Sequence, residues 1–107
     1  MIKIVLPFLK RYNIVSMTAW PFLFIRAEKV LDDKVTMNHE LIHAAQQKEM
    51  LLAGFYLAYY TEYFTKAAKY GWDKAYYEIS FEKECYQNEN NLNYLKERKP
   101  FAWRKLL

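Results

Sequence analysis

Apolar and polar positions change rhythm along this chain near residue 36. Before it, apolar residues fall in short runs. Ile4 to Leu9 carries Pro7, and the β-branched residues Ile4, Val5, Ile14 and Val15 further disfavour a long helix over residues 1–19. A second run, Trp20 to Ile25, leads through the polar Asp32-Asp33 to Lys34-Val35, and predicts a short β-hairpin or an extended pair. From Thr36 onward the spacing turns helical. Thr36 or Asn38 can cap the N-terminus, and Leu41, Ala45, Lys48 and Leu52 fall on one side. Gly54 is the first expected break. A second helix, Phe55 to about Tyr70, ends at Gly71, and a short turn or helix begins at Asp73. A third long helix, capped by Ser80, runs to about Arg98 and stops before Pro100. The pattern predicts a mainly α, α+β architecture: a short N-terminal hairpin or extended segment followed by three helices.

Length and composition narrow this picture. The chain has 107 residues, enough to bury roughly two-thirds of its surface in one core, so residues 1–107 read as a single domain. With 53% hydrophobic and 26% charged residues, the chain is not a low-hydropathy disordered one. Two glycines and three prolines leave little turn chemistry for a many-stranded β fold. The net charge of +4 is too small to indicate nucleic acid, although Lys96, Arg98, Lys99, Arg104 and Lys105 cluster near the C-terminus. The single Cys85 permits no internal disulfide, which fits a cytoplasmic protein or simply a small buried side chain.

Targeting and membrane patterns are weak. The apolar stretch after Lys3 is short, meets Lys10-Arg11 and lacks a small-residue cleavage site, unlike a signal peptide. The stretch from Met50 to Thr61 falls short of the about 20 apolar residues a membrane span needs. Its aromatic part, Phe55 to Tyr60, is expected in the core, in a homo-oligomer contact, or at a membrane surface with the basic C-terminal residues near anionic lipid.

The chemistry is concentrated at His39-Glu40-Leu41-Ile42-His43, which holds both histidines of the chain. Four residues advance a helix by about 400°, so both imidazoles leave nearly the same side, one turn apart, where they can take adjacent corners of a Zn²⁺ tetrahedron. Glu40 lies about 100° round the helix from His39. From there it can reach a metal-bound water, take its proton and deliver it to a leaving amine without ligating the metal. Chance placement of two histidines and a glutamate in this pattern is expected on the order of 0.2% of the time. The histidine side of this helix is distinct from the side of Leu41, Ala45 and Leu52. Gln46 and Gln47, one turn beyond His43, read as solvated surface or as support for the site.

A zinc site of this kind needs a third protein ligand. Glu78, Glu82, Glu84 and Glu89 form the carboxylate pool, with Cys85 as a thiolate alternative. On one helix Glu82 and Glu84 lie about 160° apart and cannot serve the same metal. Tyr76, Tyr77 and Tyr86 are candidates for stabilising an oxyanion, or aromatic core residues.

The stretch from Asn38 to His43, with Phe81-Glu82-Lys83-Glu84-Cys85-Tyr86 downstream, resembles a minimal gluzincin metallopeptidase and small uncharacterised bacterial proteins that carry both motifs. The resemblance implies a zincin-like fold, a peptide or protein substrate and Glu82 as third ligand, from the E-x-x-A-D pattern of the second helix. Cys85 then stands at the small position and Tyr86 replaces an aspartate that commonly orients a zinc-bound histidine. The expectation is a zinc-dependent peptidase with His39, His43 and Glu82 as ligands and Glu40 as general base. The alternative is a catalytically inactive zincin-like binding module, peripheral to a membrane.

Overall fold

The computed structural model describes residues 1–107, and the chain is mainly α with a small sheet. Three strands, β1 (Ile2–Val5), β2 (Ser16–Ala19) and β3 (Phe22–Ile25), lie in the order β1-β3-β2. β1 runs parallel to β3, and β2 antiparallel to it. The expected hairpin is thus misplaced. β3 pairs back onto β2 across Trp20-Pro21, while Lys34-Val35 already belong to the first helix.

Five α-helices follow: α1 (Lys34–Glu49), α2 (Ala53–Tyr70), α3 (Trp72–Glu78), α4 (Ser80–Asn88) and α5 (Tyr94–Glu97). Asp33, not Thr36 or Asn38, caps α1: its carboxylate accepts from the Thr36 N–H at 3.1 Å and the Thr36 hydroxyl at 2.8 Å. The break before α2 falls at Leu51 and Leu52, whose φ values are 56° and 57°, and Gly54 lies inside α2. Ser80 does not cap α4 as a side-chain acceptor. Instead Glu62 of α2 receives both its N–H, at 2.7 Å, and its hydroxyl, at 2.6 Å, placing a carboxylate at that helix N-terminus. The third long helix is also interrupted. It stops at Asn88, in a segment where Asn88, Asn90, Asn91 and Asn93 offer side chains that compete with helical backbone bonds.

Two apolar clusters flank α1. Phe55, Ile79, Phe81 and Trp103 form one, and Leu23, Ile25 and Val30 the other. α1 packs on both β2 and α4, but its inward side is largely polar: Asn38, His39, Glu40, His43, Gln46 and Gln47 are buried, whereas Leu41 is 44% exposed. The side marked by Leu41 is therefore the outer one. A polar helix face can be buried only where each group finds a partner, and here that partnership builds the site. No helix is long and apolar enough to cross a membrane.

Candidate metal centre

His39 and His43 sit one turn apart on α1, their ring centroids 5.0 Å apart. Glu82, in the first turn of α4, meets both. Its Oε1 lies 3.4 Å from His39 Nε2 and 3.1 Å from His43 Nε2. Metal–nitrogen and metal–oxygen bonds of about 2.0–2.2 Å at tetrahedral angles give ligand–ligand edges of about 3.3–3.6 Å. The two Glu82–histidine distances are thus near the length of such an edge.

The opposite ring nitrogens are also engaged. His39 Nδ1 lies 2.8 Å from Glu89 Oε2, and a carboxylate there requires Nδ1 to carry a proton. His43 Nδ1 lies 2.9 Å from Gln46 Oε1. The Gln46 amide can face only one way, because its Nε2 donates to the Phe81 carbonyl and to Glu84 Oε1, each at 3.0 Å. His43 Nδ1 is therefore a donor as well. Both Nε2 atoms are left to face a shared carboxylate oxygen, an arrangement that becomes favourable when a cation, as protons or a metal ion, joins them.

Electrostatics agree with that demand for positive charge. Burial pulls His43 down, yet the adjacent Cys85 and Glu82 together outweigh it and hold the imidazole well above its usual range. Burial likewise opposes, and Glu82 and Glu89 reverse, the shift at His39. Burial raises Glu82, but His43, His39 and the Tyr59 hydroxyl, which donates to its Oε2 at 2.6 Å, bring it far below the usual carboxylate range.

Glu40 faces the sheet side of the same centre. Thr18 Oγ1 donates to its Oε1 and Ser16 Oγ to its Oε2, each at 2.7 Å, so two hydroxyls of β2 fix the carboxylate plane. Gln47 ties α1 to the same strand through Thr18 O at 2.8 Å and Trp20 N–H at 2.6 Å. Two cavities open beside Glu40 and His39. One of about 340 Å³ is walled by Phe55, Tyr56, Tyr59 and Tyr60. The other, of about 970 Å³, extends towards Trp72, Tyr77 and Tyr86.

No known protein family, curated protein or solved structure matches the chain.

The remaining candidates separate cleanly. Glu78 pairs with Lys83 at 3.0 Å and does not join the histidines. Glu84 points to the other side of α4, where Arg98, Tyr94 and Gln46 surround it. Cys85 is fully buried, and with His39 and His43 it forms a second group whose ligand atoms all lie within 4.8 Å of one another. Its thiol, pushed up to about 12 by burial, donates weakly to the His39 carbonyl at 3.6 Å. Glu82 and Cys85 are thus both placed beside the two histidines, Glu82 as a carboxylate held ionised by His43 and His39 and Cys85 as a thiol held protonated by burial. Tyr86 does not orient a histidine through its hydroxyl. Its ring packs edge-on against His39 at 4.8 Å while the hydroxyl meets that of Tyr76 at 3.2 Å. Tyr76 lines both cavities, and Tyr77 is exposed on the larger one. Glu89, seven residues after Glu82, is the carboxylate that meets His39 Nδ1. The sequence left it in the carboxylate pool as a candidate ligand. Ser16, Thr18 and Tyr59 carried no sequence signal.

Proposed function

We propose that this chain is a zinc-dependent peptidase in which His39 Nε2, His43 Nε2 and Glu82 hold the ion. The observation that carries the reading is the meeting of both Nε2 atoms on one Glu82 oxygen at 3.1 and 3.4 Å, with both Nδ1 atoms separately fixed. Zinc there would act as a Lewis acid and lower the pKa of water. Glu40 serves as general base, taking the proton of the attacking water and passing it to the leaving amine nitrogen. Ser16 and Thr18 hold its carboxylate in the plane that faces the cavities. Glu89 and Gln46 keep each imidazole in the tautomer whose Nε2 is free to ligate.

The substrate suited to this site is an extended peptide. β2 is an edge strand, and because the Arg26 N–H bonds to Val15 O, the polar backbone groups of Ser16 and Thr18 turn away from β3. Gln47 and Tyr56 already satisfy Thr18 O, while Ser16, lining both cavities, is next along that edge. A peptide added there would run past Glu40, with an apolar side chain entering the aromatic cavity. A metal-holding binding module is the second reading, favoured by the two hydroxyls that occupy both oxygens of Glu40. Elemental analysis and cleavage of a broad peptide library by wild type and Glu40→Gln test the proposal. One zinc per chain in both proteins, with cleavage lowered about 10²–10⁴-fold in the variant, is the expected result. No zinc in folded protein overturns the proposal. Zinc without any cleavage leaves the binding module, and equal cleavage by both proteins refutes the role of Glu40.

A further inference from the structure

A different surface is left without a partner inside the fold. Leu23 and Ile25 of β3 point to the Val30 cluster, and Ser16 and Thr18 of β2 point to Glu40, so α1 covers one face of the sheet. The register puts Ile2, Ile4, Met17, Ala19, Phe22 and Phe24 on the other face. That face has no polar side chain. Ile2 is 55%, Met17 44% and Phe22 37% exposed. Contiguous exposed apolar surface of this kind marks a contact with another phase or molecule.

The charges around this face select among occupants. Residues 1–27 contain Lys3, Lys10, Arg11 and Arg26 and no acidic residue. Arg26 continues the outer row of β3, and the Leu6 N–H to Ile25 O bond at 2.8 Å brings the turn carrying Lys10 and Arg11 to the same end. Trp20, at the opposite end, sits on the α1 side instead: its N–H bonds to Gln47, and Lys48 Nζ lies 5.7 Å from its ring centre. Cations thus border the apolar face at the end of Arg26, Lys10 and Arg11. A second copy of this face would bring no acidic residue to meet them, since residues 1–27 hold none. An anionic bilayer offers both an apolar phase and negative headgroups.

We propose that the outer face of the N-terminal sheet docks on an anionic membrane surface, with Phe22, Met17 and Ile2 entering the interface and Arg26, Lys10 and Arg11 meeting headgroups. This assigns membrane contact to the sheet and not to the aromatic α2, and it stands independently of the metal centre. The test is flotation of the full chain with vesicles of phosphatidylcholine alone or mixed with phosphatidylglycerol. Binding is expected only to the mixed vesicles, and is lost as salt rises from about 0.1 M to about 1 M. Phe22→Asp lowers it roughly tenfold or more, and the Lys10→Ala, Arg11→Ala double variant about 30-fold. Both changes are on exposed side chains, and circular dichroism checks that the fold is retained. Brominated lipid gives a second readout: quenching of tryptophan emission is expected to rise above wild type in Phe22→Trp, which puts an indole on the docked face, and to be unchanged by Trp72→Phe. Failure to float with mixed vesicles overturns the proposal. So does quenching that follows Trp72, which assigns contact to the α2–α3 side, or a dimer that Phe22→Asp disperses, which assigns the face to a second copy.

Discussion

Replacing Gln46 by leucine tests the inverted burial of α1 directly. Gln46 is fully buried, and its amide makes three bonds: it accepts from His43 Nδ1 and donates to Phe81 O and Glu84 Oε1. Leucine fills nearly the same volume but satisfies none of them. Glu84 keeps Arg98 and Tyr94, and the Phe81 carbonyl keeps its bond within α4, whereas the His43 N–H is left buried without a partner. That group costs about 1–3 kcal/mol, and added apolar burial offsets part of this, so the expected loss is about 1–2 kcal/mol. Leu41→Ala is the matched control. A core leucine would cost about 2–5 kcal/mol on truncation, but Leu41 is 44% exposed and should cost less than about 1 kcal/mol. Urea unfolding with a common m-value measures both. The free His43 ring should also weaken zinc binding about 10–100-fold in a chelator competition. The reasoning fails if Leu41→Ala proves the more destabilising, or if Gln46→Leu matches wild type in stability and zinc affinity.

Four further outcomes follow from the same geometry. Glu82→Ala should lose most of its zinc by elemental analysis while Glu84→Ala keeps it; Glu84→Ala should instead lower stability by about 3–5 kcal/mol, because buried Arg98 keeps only Glu49 as partner. Ser16→Ala combined with Thr18→Val should leave zinc content intact but reduce peptide cleavage through kcat, since the groups that orient Glu40 are removed. Leu51→Gly should raise stability by about 1 kcal/mol in thermal unfolding, as φ is 56° and the side chain is 85% exposed, so strain goes and little contact is lost. Burial raises Glu84, but Arg98, Gln46 and Tyr94 together hold it below the usual carboxylate range. Its stabilisation is therefore present above about pH 4.5 and lost on acidification below it, and Glu84→Gln should show a shallower acid decline in unfolding free energy than wild type.

How much of this was legible in the sequence depended on the range over which each feature is specified. The His39, Glu40 and His43 spacing lies within one helical turn, so helix geometry alone fixed their common side. Glu82 needed a resemblance to single it out from Glu78, Glu84 and Glu89, because which side of α4 meets α1 is a tertiary fact. The strand pairing was misread for the same reason: β1 lies parallel to β3 across an intervening segment, and no local turn signal records that. α1 was legible only in part. Its pattern separated the Leu41 side from the histidine side without saying which is inward, and Gln46 and Gln47, read as solvated surface or as support for the site, are inward, each satisfied by partners distant in sequence. Asp33 and the asparagine-rich break after Asn88 were visible as residue types, but several capping residues competed and only the folded chain chose between them.

The polar inner face of α1 also bears on the order in which the molecule assembles. α2 and α3 pack on each other through contacts close in sequence, which form with little loop-closure cost. α1 and α4 meet only after the chain between them has doubled back, and of the eight buried side chains of α1 only Ile42 and Ala44 are apolar, the rest being histidine, glutamate and amide groups. Their rewards arrive together: Glu82 and Glu89 for the histidines, Glu84 and the Phe81 carbonyl for Gln46, and the carbonyls of Glu89 and Asn91 for the Asn38 amide at 2.8 and 3.0 Å. The cluster of His39, His43 and Glu82 is thus complete only once α4 has docked onto α1. A nascent chain that has not yet released α4 from the ribosome holds its histidines without their carboxylates.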